Sequence, residues 1–260
     1  MSNSAIINQV FPNPPISLGN GNFLHIIEID SISSELATLI DEKIGMITEG
    51  ATETPLASMK KRLYDFLQEK KGSNIEMGAV AEFMIHLYMN IAGFKQEFVY
   101  YNLEERSMKK GFDGYYTKDK EEWILESKSG GKSVPGNSHS SKFGEAYSDL
   151  KKKIKDEQGN NPWRNAWTHA CNVYVETAED IRKNLKQLAD DFDSGKYTKL
   201  ENLNLAPSST IFLDGNWESI DKDDIKLKIS NSLSTKKFKG INVLCINNRS
   251  LELLEEYLIL

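Results

Sequence analysis

In the stretch GFDGYYTKDKEEWILESKSG, residues 111–130, an acid at Asp113 is followed 13 residues later by Glu126, then Ser127 and Lys128. Successive side chains of a strand alternate between its faces. Glu126 and Lys128 should therefore point one way, and Trp123, Leu125 and Ser127 the other. The charged turn KDKE predicts that the Asp113 segment folds back beside the Glu126 segment, at the ~4.8 Å spacing of neighbouring strands. Two carboxylates brought that close suit Mg²⁺, which keeps several waters and takes few protein ligands. An ammonium beside them could orient or polarise a water and offset charge growing on a phosphate.

A third acid, Glu82, lies in SNIEMGAVAEFMIHLYMNIAGF, residues 73–94. The spacing of Met77, Val80, Ala81, Met84, Tyr88, Ile91 and Ala92 predicts a helix with a wide apolar stripe, closed by Gly93. On the helical wheel Glu82 falls among Ile75, Gly78, Ile85 and Met89, within roughly 60°. Desolvating a carboxylate there costs several kcal/mol unless a cation or donor compensates, and an adjacent metal site would resolve that cost. Each feature has a plainer explanation. Asp113-Gly114 could mark a turn or bulge. Glu126 and Lys128 could be the solvent face of an edge strand with cross-strand charge pairing. Together, four suitable residue types in this order favour a site.

The elements that must position these residues follow from the pattern of the whole chain. FLHIIEI (23–29) predicts a strand; SSELATLIDEKIGMI and LASMKKRLYDFLQEKK predict helices, the second closed by Gly72. FKQEFVYYNL reads as a strand before the hairpin. A Gly/Ser-rich loop (129–141) precedes a helix in KFGEAYSDLKKKIKD, CNVYVET is strand-like, and AEDIRKNLKQLADDF is helical. STIFLDG and INVLCINN read as later strands with a polar helical segment between them. The expectation is an α/β fold with a mixed central sheet flanked by helices. Residues 1–70 are expected as an N-terminal lobe and 71–260 as the domain that carries the site, with a C-terminal extension.

The 260 residues carry a net charge of −6, so the basic footprint of a phosphate-binding surface is missing overall. Lys109-Lys110 and the KKKIK run at 151–155 read first as solvated surface. The 2 cysteines, Cys171 and Cys245, have no metal-ligand spacing and suggest a reducing compartment. No apolar run approaches the ~20 residues of a membrane span. The first residues lack a signal-peptide pattern, and a cytoplasmic location is expected.

The order of Glu82, Asp113 and Glu126-x-Lys128 resembles that of the PD-(D/E)xK, or restriction-endonuclease-like, nucleases. The resemblance covers about residues 73–155: GAVAEFMIHLYMNIAGF matches the glutamate helix, GFDG carries the aspartate, and ESK is the E-x-K. Phe112 stands where that superfamily has proline. The wording KKGFDGYY…WILESKS is also similar to the HamA-type nuclease subunits of Hachiman anti-phage systems. The resemblance implies a restriction-endonuclease-like core and phosphodiester cleavage. Asp113 and Glu126 would hold Mg²⁺ (Mn²⁺ substituting), with Glu82 helping directly or through water. Lys128 would position the attacking water. It further implies DNA as substrate and a helicase subunit as partner. A catalytically silent nuclease-fold subunit and a stand-alone restriction-type enzyme are the alternatives.

Other residues are expected to do less. His139 reads as a flexible-loop residue, and Lys132 and Lys142 beside it read as solvated lysines or phosphate contacts. His25, His86 and His169 lack ligand spacing. Trp163 and Trp167 read as packing residues before they read as base-stacking ones. The chain has no Walker-type phosphate loop and no G-x-S-x-G elbow.

Overall fold

A computed structural model describes residues 9–97, 99–100, 111–155, 159–172 and 175–259. Its elements, in chain order, are β1 (Ile16–Gly19), β2 (Asn22–Ile29), α1 (Ser34–Thr48), α2 (Leu56–Glu69), α3 (Asn74–Ile91), β3 (Lys95–Gln96), β4 (Gly114–Lys118) and β5 (Glu121–Gly131). Then follow α4 (His139–Lys153), α5 (Pro162–Ala170), α6 (Glu179–Asp193), β6 (Asn204–Phe212), α7 (Lys222–Leu233), β7 (Gly240–Asn248) and α8 (Glu252–Leu258). The strands form one mixed sheet in the order β1-β2-β7-β6-β5-β4-β3. β2, β7, β6 and β5 run parallel, while β1, β4 and β3 add antiparallel margins. The architecture is α/β.

Alternation along β5 divides the core into two layers. Leu125 faces α1, α2, α3 and α8; Ile124 faces α4, α5, α6 and α7. The parallel strands are apolar on both sides, as a doubly covered sheet requires. Of residues 1–70, expected as a lobe, the described ones join this same sheet and core: β2 pairs with β7, and α1 and α2 share a core with α3 and α8. Among the described residues no helix is long and apolar enough to cross a membrane.

Local chemistry explains the elements nearest the site. β4 and β5 are joined by Asp119 and Lys120, both at positive φ (52° and 65°), which is the I′ geometry that suits the strands' twist. Ser73 caps α3 by accepting from the Ile75 and Glu76 amides, and Gly93 leaves the helix at φ +84°. α3 carries more than the expected stripe. From Ala79 to Met89 every residue is buried, Glu82 and His86 included, so it is a central helix covered all round.

Three expectations change. α4 begins at His139, capped by Ser138, so the loop is shorter than the sequence suggests and His139 lies on the helix. The described residues of CNVYVET do not pair in the sheet, and Val173 and Tyr174 lie outside the described set. Only Lys95–Gln96 of the strand expected in FKQEFVYYNL is seen to pair, with Tyr116 and Thr117; residues 98 and 101–103 fall outside.

Candidate active site where β4 leaves β5

β4 parts from β5 at Asp113, and the parting builds the site. The Asp113 amide donates to the Leu125 carbonyl at 3.2 Å, the last rung of the ladder. One step on, the Asp113 carboxylate itself accepts from the Ser127 amide at 2.7 Å. The side chain thus replaces the missing backbone partner and is pinned beside Glu126. Gly114 is needed at this corner: a Cβ there would meet Tyr116 Cε2 at 2.7 Å and Leu125 Cβ at 2.9 Å.

Glu126 is 1% exposed, which excludes the solvent-face explanation. β5 is an inner strand, and the residue beside Glu126 on β6 is Pro207. The opposing layer supplies the compensation. Lys153, at the last turn of α4, places its ammonium 2.5 Å from Glu126 Oε2 and 3.9 Å from Asp113 Oδ1. Lys128 Nζ lies 3.3 Å from Glu126 Oε1 and 2.7 Å from Asp149 Oδ2, a carboxylate also carried by α4. Two acids and an amine expected from the sequence therefore do meet, and two further residues, Asp149 and Lys153, complete the cluster.

Burial dominates its electrostatics. Desolvation, with Asp113 adding repulsion, pushes the Glu126 carboxyl up to about 8 against the pull of Lys153 and Lys128. For both lysines burial opposes the charge, but the neighbouring carboxylates outweigh it and raise each ammonium above its usual range. Lys128, with 29% of its side chain exposed, is the cation at the solvent rim.

Glu82 stands apart. It is buried on α3, in the opposite layer from Glu126. Tyr116 is the described group that senses both sides: its phenol is raised by burial first, then by Glu82 and by Asp113. Among the described residues no group of three His, Cys, Asp or Glu side chains gathers as a metal site. The donors that do converge fit a divalent ion in kind: two hard carboxylates share one cation, here an ammonium.

The remaining candidates settle into structural roles. His139 donates from Nε2 to Asn247 Oδ1 at 3.0 Å and accepts at Nδ1 from Ser209 Oγ at 2.8 Å, and burial lowers its pKa to about 4. His25 is held likewise by Tyr88 and Asn242. Trp163 is buried edge-to-face on Phe112. Lys142 pairs with Glu145 at 3.0 Å, and Lys132 pairs with Glu218.

Comparison with protein-family models finds no match, and no curated protein matches the sequence.

Proposed function

We propose that the protein is a Mg²⁺-dependent DNA nuclease of the restriction-endonuclease-like type. In this reading it is the effector subunit of a cytoplasmic anti-phage complex that includes a helicase. The observation that carries the reading is the convergence of the Asp113 and Glu126 carboxylates on one cation, with Lys128 at the rim. Asp113 and Glu126 are the residues assigned to hold Mg²⁺ or Mn²⁺, with Glu82 helping directly or through water. Bound there, the ion supplies Lewis-acid stabilisation of charge on the phosphodiester.

The chain's own residues do the rest. Lys128 stays charged because its acidic neighbours hold its proton, so it serves as an electrostatic clamp and water-orienting donor, not as a base. Asp149 fixes that ammonium from the helix side. Ser127 orients Asp113 through its backbone amide. The net charge of −6 favours a partner that carries the grip on DNA, which is the role given to the helicase. Free Cys171 and Cys245 suit a reducing cytoplasm.

The test is nicking of supercoiled plasmid in Mg²⁺ by the chain assembled with its helicase subunit; nicking by the chain alone would favour the stand-alone enzyme instead. The wild type is expected to nick, and the double variant Glu126→Ala, Lys128→Ala is expected to be inert while keeping its circular dichroism spectrum. A double variant that still cuts ends the assignment. A silent nuclease-fold subunit is the second reading, favoured by the Lys153 ammonium standing between the two acids. Mg²⁺ should raise the melting temperature of a live site and leave a silent one unchanged.

A further inference from the structure

The two lysines of the site are anchored differently. Lys128 has an acid of its own, Asp149 at 2.7 Å, outside the pair that would hold a metal. Lys153 has, among the described residues, only the pair itself: Glu126 at 2.5 Å and Asp113 at 3.9 Å. Its ammonium therefore stands where the two carboxylates converge.

Charge makes that position exclusive. The buried Glu126 and the partly buried Asp113 carboxylates balance one divalent ion, and an extra ammonium held among them would be an uncompensated charge costing several kcal/mol. Lys128 can stay in place on Asp149; Lys153 has no second carboxylate partner among the described residues. It also has a way out. Its side chain is 14% exposed, and it sits at the helix end beside the exposed Lys151 and Lys152. A four-carbon stem reaches water from such a position.

We infer that Lys153 is a resident counter-cation: it keeps the Asp113–Glu126 pair compensated in the metal-free protein and is displaced outward when a divalent ion enters. The inference rests on the nuclease reading of the same site. It assigns the chain a latent state in which the two acids stay paired with Lys153 until metal arrives.

The experiment is amine acylation of the whole wild-type chain at pH 8 with an N-hydroxysuccinimide acetate, read peptide by peptide by mass spectrometry, with melting curves run in parallel. Without metal Lys153 is expected to label slowly. With saturating Mg²⁺ it should label several-fold faster, as the displaced side chain leaves its 14% exposed position for water. Exposed Lys151 provides the unchanged reference. In Glu126→Gln the Lys153 rate should not respond to Mg²⁺. If Mg²⁺ raises the wild-type melting temperature while the Lys153 rate stays constant, the displacement is wrong and the nuclease reading stands. If Mg²⁺ alters neither, both fall.

Discussion

Helix α4 docks on the sheet through a polar side chain at each end, and the two ends solve burial in opposite ways. At its first residue, His139 is neutral and satisfied on both ring nitrogens, by Ser209 and Asn247. At its last residue, Lys153 is charged and faces Asp113 and Glu126. The first arrangement needs no ion and leaves nothing to react with. The second holds a carboxyl pushed up to about 8 in a place where only cations make it comfortable. Fixed hydrogen bonds at one end and unresolved charge at the other separate a structural contact from a site with chemistry in it.

Substitutions at the two ends should differ most in stability. Lys153→Ala strands the acids and should cost about 3 kcal/mol in urea unfolding at pH 8. Adding Glu126→Gln should recover much of that loss; strictly additive costs would mean that the pair is not coupled. His139→Ala leaves Ser209 and Asn247 without their shared partner and should cost about 1–3 kcal/mol, with Mg²⁺-dependent melting unchanged.

The pH responses should have opposite signs. His139 falls from 6.5 to about 4 on folding, so its contribution is present above 6.5 and is lost as pH drops toward 4. Glu126 rises from 4.5 to about 8, so its contribution is greatest below 4.5 and is lost as pH climbs to about 8. Melting temperatures of metal-free Glu126→Gln should therefore gain on wild type from pH 5 to about 8. A constant difference across that range would contradict the burial of an ionisable carboxyl. The smallest stability effect belongs to Lys128→Ala: its partly exposed pairs should contribute no more than about 1 kcal/mol, although nicking is lost.

Much of this was legible in the sequence. The Asp119-Lys120 turn set the hairpin, strand alternation put Glu126 and Lys128 on one face, and Trp163 packed as its neighbours suggest. Lys153 was hidden in a lysine run that reads as solvated surface. Its signal lies in the period: His139, Phe143, Ala146, Leu150 and Lys153 follow one another at spacings of 4, 3, 4 and 3, so both polar ends lie on the buried stripe. The helical wheel's expectation that Glu82 is buried on its helix holds. The strand ISLG was missed because residues 16–19 are short and follow a Pro/Asn-rich lead-in.

The central claim is that Asp113 and Glu126 form a divalent-cation site. Calorimetric titration of the isolated chain with Mn²⁺ tests it most directly. One ion is expected to bind wild type, with binding abolished in Asp113→Asn and in Glu126→Gln and retained in His139→Ala. Wild-type protein that takes up no Mn²⁺, or acid-to-amide variants that bind it as well as wild type does, would contradict the account.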